Sequence, residues 1–331
     1  MIDRSQIKKI LVFTLSNIGD VILTTTVVSL LRDRFPEAHL SVLAGPRGIP
    51  LFENCNTVDD VLIYDKKDFW LNRLKLVFKL RQARYDCVID LRNSFLAWMI
   101  GARYKTSIWM DRSDRLMRVQ HLKRISFLIP NPGAENKFHF FSPAEQSSAF
   151  EKFKGYLSSP ASSSFAILAP GAGTHLKRWT VSGFAQLADH LTASGVSVAL
   201  VGGQGEAAIG QDLERNISKP VSNLIGQLTL RELAGLTSRA ALVVANDSSV
   251  MHLAHELDRP TVSIYGPTDE KKIDLAHPNR RGVRLHLDCT PCEVAQCRLE
   301  RRVCLDDLPA SLVIQACEEL LNHAADPAFR H

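Results

Sequence analysis

Three short segments place acids, hydroxyls and cations directly after apolar runs, where turns carry chemistry. The first, Ser16-Asn17-Ile18-Gly19-Asp20, follows the run ILVFTL at 10–15. Ser16 or Asn17 can cap a helix there, and Gly19 permits close backbone approach. Asp20 falls in the first helical turn, where an acid complements the helix dipole. At the carboxyl edge of a first strand the same carboxylate is also a candidate general base.

The second segment, Pro170-Gly171-Ala172-Gly173-Thr174-His175-Leu176-Lys177-Arg178-Trp179, joins small residues to two cations. Backbone amides at Gly171, Gly173 and Thr174 can approach a phosphate, with Lys177 or Arg178 supplying charge. The Gly-Lys-Ser/Thr ending of a Walker loop is missing. Downstream, Gly203-Gln204-Gly205-Glu206-Ala207-Ala208 fits the dinucleotide pattern G-x-G-x-x-A after a strand. The strand that should then end in a ribose-holding acid reads Asn223-Leu224-Ile225-Gly226, without one, so a plain phosphate or ribose contact is the better reading. The third segment, Asn246-Asp247-Ser248-Ser249-Val250-Met251-His252, delivers an amide, an acid and two hydroxyls to a helix start, an anion seat with His252 one turn in. Tyr265-Gly266-Pro267-Thr268 closes the following strand as a further wall.

Cys289, Cys292, Cys297 and Cys304 show the spacing C-x2-C-x4-C-x6-C. Four thiolates can hold zinc tetrahedrally, although the second pair is wider than in zinc ribbons, so a structural metal competes with disulfides and with unlinked thiols.

The elements that position these residues alternate along the chain. Strands are expected at 10–15, 40–43, 61–64 and 87–91, with helices at 18–35, 69–84 and 94–103. After a helix at 142–157 and a small-residue linker at 158–164 the pattern restarts. Strands at 165–169, 196–201, 241–245 and 261–265 then alternate with helices at 181–194, 206–217, 230–238 and 248–257, and a last helix covers 309–323. Uninterrupted apolar strands between helices require parallel sheets covered on both faces. Two α/β domains, 1–158 and 159–331, are the simplest account, with ligands at the carboxyl ends of their strands.

Composition agrees. A chain of 331 residues, 45% hydrophobic and 23% charged, is ordinary for a folded protein and excludes collagen, coiled coil and disorder. The apolar runs are far shorter than the about 20 residues that span a bilayer, and 1–9 lack a signal-peptide core, so a cytoplasmic location is expected. Seven cysteines, an odd number, suit a reducing compartment. The net charge of +5 is uneven: 66–124 hold fifteen lysines and arginines against five aspartates. Such a face can dock phosphorylated lipid, a membrane surface or nucleic acid.

Taken together, Asn17-Ile18-Gly19-Asp20-Val21, Lys177-Arg178-Trp179, Asn246-Asp247-Ser248 with Met251-His252-Leu253-Ala254, and Pro260-Thr261-Val262 with Gly266-Pro267-Thr268 resemble family 9 glycosyltransferases, which include the ADP-heptose:lipopolysaccharide heptosyltransferases. They occur in the family's order along nearly the whole chain. The resemblance implies a GT-B fold of two Rossmann-like domains facing across a cleft. The acceptor would bind the first domain and the nucleotide sugar the second, with the final helix returning to the first. It also implies inverting transfer without a metal cofactor. Asp20 would be the general base and Lys177 the phosphate contact. Asp247, Ser248, Ser249 and His252 would form the donor turn, and Glu206 would hold the nucleoside. The implied partners are ADP-heptose and an anionic lipid-linked saccharide such as the lipopolysaccharide core, with peripheral membrane contact at the inner face and no nucleic acid. Ser16, Asn17, Arg103, Lys105 and Arg112 become candidate acceptor contacts, with Arg115 and Arg118 beside Trp109 on the same basic segment. Ser249-Val250 stand where the family usually has Gly-Pro, and Thr180 where it has Pro, which bears on which donor fits. The rival classes are an NAD-type oxidoreductase, disfavoured by the missing ribose acid, and an inactive nucleotide-binding scaffold.

Overall fold

A computed structural model describes residues 6–109, 113–133, 135, 137–154, 164–294 and 296–325. The chain divides into two units, Met1–Phe140 and Phe141–His331.

The first unit contains β1 (Lys9–Phe13), α1 (Ile18–Arg34), β2 (His39–Ala44), β3 (Asp60–Ile63), α2 (Trp70–Gln82), β4 (Cys87–Asp90), α3 (Leu96–Ile100), β5 (Tyr104–Lys105) and α4 (Met117–Lys123). All five strands are parallel, in the order β3-β2-β1-β4-β5. The β1 and β4 side chains Ile10, Val12, Val88 and Ile89 are fully buried, as strands covered on both faces must be.

The second unit comprises α5 (Pro143–Lys154), β6 (Phe165–Ala169), α6 (Val181–Ala193), β7 (Ser197–Leu200), α7 (Ala207–Asn216), β8 (Ser222–Asn223), α8 (Leu230–Thr237), β9 (Leu242–Asn246), α9 (Ser249–Glu256), β10 (Thr261–Ile264), β11 (Arg280–Val283), α10 (Val303–Asp306) and α11 (Ala310–Ala325). Its six strands are parallel, in the order β11-β10-β9-β6-β7-β8. Strand order therefore reverses between β1 and β4 in one sheet and between β6 and β9 in the other. Open α/β sheets bind ligands at such switch points.

One difference from the sequence reading concerns the division of the chain. It falls at 140/141, not 158/159, because α5 packs on the second unit. Phe153 meets the Phe165 ring at 4.7 Å, Phe150 meets it at 5.8 Å, and Lys152 is paired with Glu232 on α8 at 2.8 Å. The linker expected at 158–164 lies outside the described residues except for Ser164. The final helix buries Val313, Cys317 and Leu320 in the second unit's core with α6, β9, β10 and β11.

Candidate active site

In the second unit the site forms at the switch point. The loop after β6 and the end of β9 are tied by Asn246, which is fully buried. Its Nδ2 donates to the Pro170 carbonyl at 2.8 Å, and its Oδ1 accepts the Trp179 N–H at 2.9 Å. Thr174 then caps the tight turn His175–Lys177 by accepting the Leu176 N–H at 3.0 Å. Arg302 braces the same turn from outside, donating to the carbonyls of His175 and Arg178.

That scaffold delivers Lys177 Nζ to within 2.6 Å of Asp247 Oδ2, and Thr268 Oγ1 donates to the same oxygen at 2.6 Å. Burial by itself would raise the Asp247 carboxyl, but Lys177 and Thr268, with a smaller pull from His252, hold it below the usual range. Asp247 is therefore ionised at neutral pH, and its contact fixes the Lys177 side chain at the β6–β9 gap.

Beside this pair, Ser248 occupies the cap position of α9 with extended backbone. Its hydroxyl is buried and has no hydrogen-bond partner. The first amides of α9, from Ser249 onward, are free of helical partners. A buried orphan hydroxyl beside free amides and a lysine forms an anion seat.

Glu206 closes the other side. Its carboxylate accepts the Gly203 N–H at 2.9 Å and fills space that only glycine leaves open. A Cβ on Gly171 would lie 1.9 Å from Glu206 Oε1, and one on Gly202 would lie 2.6 Å from Oε2. Glu206 sits in a one-turn helix (Gln204–Glu206) just ahead of α7, not inside the longer helix the sequence suggested. At Gly173 a Cβ would meet nothing within 4 Å, so glycine is not required there for space. His252 lies half-buried one turn into α9. Thr180, at the family's proline position, caps α6 by accepting the Gly183 N–H at 3.0 Å.

In the first unit, Asp20 stands in the first turn of α1, beyond the carboxyl end of β1. Asn17 Nδ2 donates to its Oδ2 at 3.0 Å, which orients the carboxylate. Ser16 packs where the β2 loop passes closest, since a Cβ on Gly45 would come within 3.1 Å of its Cα. Buried below is His121 on α4, with no hydrogen-bond partner on either ring nitrogen. Burial pushes His121 down to about 4, against an opposing pull from the Asp20 charge. On the other side of the switch, Asp90 ends β4 fully buried and accepts the N–H groups of Arg92 and Ser94, both at 2.9 Å.

Arg103 and Lys105 line a cavity of about 560 Å³, with Trp98, Trp109, Lys123 and Arg124. Lys105 Nζ lies 5.1 Å above the Trp98 ring, and Arg103 donates to Gln6 at 2.6 Å. Arg118 turns away onto α1, where its Nε donates to Thr26 at 3.3 Å. Arg112 lies outside the described residues.

Burial pushes the Cys304 thiol up, and the neighbouring thiols of Cys292, Cys297 and Cys289 add to the same direction. All four are unlinked. Among the described residues, no three His, Cys, Asp or Glu side chains stand in an arrangement that could hold a metal. The segment does brace the site: the Cys292 and Glu293 N–H groups both donate to the Pro267 carbonyl, beside Thr268.

The sequence places Asn246 in the third segment and Thr268 in a further wall without showing what either bonds to, and it does not single out His121. Gly266-Pro267-Thr268 and Asn246-Asp247 were visible as loop motifs, but their mutual bonds were not. Nothing in the sequence marks His121, a lone histidine on a short helix.

Two parallel α/β sheets, each gathering polar side chains at its switch point, are the architecture of the GT-B fold class. Residues 73–302 match glycosyltransferase family 9 (heptosyltransferase), and the chain belongs to that family and is a glycosyltransferase. It is similar to lipooligosaccharide heptosyltransferase 2 of Haemophilus influenzae, 26% identical over 78% of this chain and 83% of the relative. It is similar too to lipopolysaccharide heptosyltransferase 3 of Escherichia coli K12, 26% identical over 95% of this chain and 98% of the relative. The solved E. coli ADP-heptose lipopolysaccharide heptosyltransferase II shares the fold with a TM-score of 0.77 and 23% identity, over 96% of this chain and all of the other. An E. coli heptosyltransferase solved with ADP-2-deoxy-2-fluoro heptose gives a TM-score of 0.67 at 16% identity, over 94% and 99%. Among the described residues no helix is long and apolar enough to cross a membrane.

Proposed function

We propose that this glycosyltransferase moves a heptose from ADP-heptose, with inversion, to the lipopolysaccharide core or a related lipid-linked saccharide in the cytoplasm. The observation that carries this reading is the fixed Lys177–Asp247–Thr268 arrangement beside the unpartnered Ser248 hydroxyl at the start of α9. The diphosphate sits against Lys177, Ser248, Ser249 and the α9 amides, with Gly171, Gly173 and Thr174 supplying the facing loop. Glu206, held by Gly203, takes the nucleoside hydroxyls, and His252 borders the sugar diphosphate. The names of the relatives and the ADP-sugar bound in one structural neighbour supply the donor and acceptor classes.

As the glycosidic bond to the diphosphate lengthens, the anomeric carbon gains oxocarbenium character. Charge accumulating on the leaving group is met by Lys177, the Ser248 hydroxyl and the α9 amides, which are already oriented and need not reorganise. Asp20, steered by Asn17, accepts the proton of the acceptor hydroxyl as that oxygen attacks the opposite face. Asp247 holds Lys177 in place. Ser16 borders the attacking sugar, while Arg103, Lys105 and Arg112 meet acidic groups of the acceptor farther along.

In this reading transfer needs no metal cofactor, and a structural zinc on Cys289, Cys292, Cys297 and Cys304 stays a separate proposal. Elemental analysis of purified protein tests the zinc, and turnover in chelator tests the transfer. The functional test is a panel of nucleotide sugars scored by thermal shift and by turnover on a deacylated core acceptor. ADP-heptose should give the largest shift. A larger shift and faster turnover with another donor would overturn the donor assignment.

A further inference from the structure

We propose that α2 and α3 form a docking face for an anionic lipid bilayer. Of thirteen residues in α2, only Leu80 is fully buried, while Leu76 and Val77 rest partly on the core. Trp70, Leu74 and Phe78 recur every fourth residue and so share one stripe. They are 54%, 39% and 63% exposed, and Phe69 just ahead of the helix is 61% exposed. Helix α3 packs beside α2 and adds Trp98 and Met99, exposed to a similar degree. Large apolar side chains left outward on two adjoining helices form a patch that folded monomers seldom leave uncovered.

Charge selects the occupant. Arg73, Lys75, Lys79 and Arg81 are the charged residues of α2, and the helix contains no acid. A second copy of the same face would set this cationic array against itself. An anionic bilayer offers the complementary surface, with hydrocarbon below for the apolar stripe. A short amphipathic helix with aromatics on one side and lysines along the edge lies in the plane of the interface, not across it. At the border of the patch Lys105 Nζ rests over the Trp98 ring, joining the face to the basic cavity. The inference deepens the proposed function, since it rests on a lipid-linked acceptor that resides in a bilayer.

The test is cosedimentation of the full chain with phosphatidylcholine vesicles, with and without phosphatidylglycerol, across a salt series. Binding should require the anionic lipid and weaken as salt rises. Trp70→Ser with Phe78→Ser should reduce the bound fraction about tenfold without lowering the melting temperature, since both side chains are exposed. Lys75→Gln with Lys79→Gln should erase the anionic preference. Pelleting that is absent, or indifferent to both pairs of substitutions, would overturn the proposal. So would a dimer in light scattering that the aromatic pair dissolves, which would assign the face to a second copy. Turnover on a water-soluble deacylated acceptor separates this idea from the catalytic one. It should be unchanged in the aromatic variant, and its failure in the native chain with vesicle binding intact would refute the glycosyl-transfer reading alone.

Discussion

Lys177 and Asp247 are seventy residues apart in sequence, yet their side chains meet at 2.6 Å because β6 and β9 are hydrogen-bonded neighbours at the strand reversal. Asp247 is largely buried while Lys177 remains one-third exposed. The buried carboxylate therefore positions the ammonium, which keeps room for a ligand. Lys177→Ala should lower kcat by about a hundredfold or more, the scale for losing one preorganised charge partner. It should also lower the melting temperature, because Asp247 stays buried with only Thr268 as partner. Steady-state kinetics and calorimetric melting check both.

Asp20 touches only Asn17 among the described hydrogen bonds, so its removal disturbs little else. Asp20→Ala should cut transfer about a thousandfold while donor affinity stays near that of the native chain. Isothermal titration with donor, alongside turnover, reads the two separately. Parallel loss of both would place Asp20 in donor binding.

The Ser248 hydroxyl is buried without a partner, so deleting it removes no native hydrogen bond. Ser248→Ala should leave the ligand-free protein at least as stable. Donor affinity should nevertheless fall about tenfold, equivalent to about 1.4 kcal/mol. Thermal shift with and without ADP distinguishes these effects.

Gly171→Ala would drive a Cβ into Glu206 and break its bond to the Gly203 N–H. A loss of about 1–3 kcal/mol is expected. Adding Glu206→Ala should recover much of it, since the clash then has no second party. A double-mutant cycle by chemical denaturation measures the coupling.

Acid should act in two windows. His121 titrates at about 4 when folded, below its usual 6.5, because burial disfavours its charge. The unfolded chain therefore takes up that proton first, and stability falls as pH drops from about 6.5 to 4. For Glu232 burial is outweighed by hydrogen bonds from Lys152, Ser148 and Thr229, which hold it at about 2. Its contribution, present above about 4.5, is lost between there and 2. His121→Leu should flatten the upper window and Glu232→Gln the lower, in urea melts across pH.

The central strands were legible because they are buried on both faces and read as unbroken apolar runs, as in β1 and β6. The edges were not. β5 and β8 are two residues each, and β11 reads RRGV, so none presents an apolar run. In the site, each polar cluster could be found from its place after a strand. Which clusters meet depends on strand order, and that is decided by long-range pairing. Glu206 shows the limit: its motif was visible, but its fit between Gly171 and Gly202 requires β6 and β7 side by side.

The ring cluster of Phe150, Phe153 and Phe165 has a practical consequence for dissecting the chain. A recombinant fragment begun at residue 159 would strip α5 from the sheet, baring Phe165 and depriving Glu232 of Lys152. One begun at residue 141 keeps that seam closed, and it is the cut to make when nucleotide recognition is to be studied in isolation.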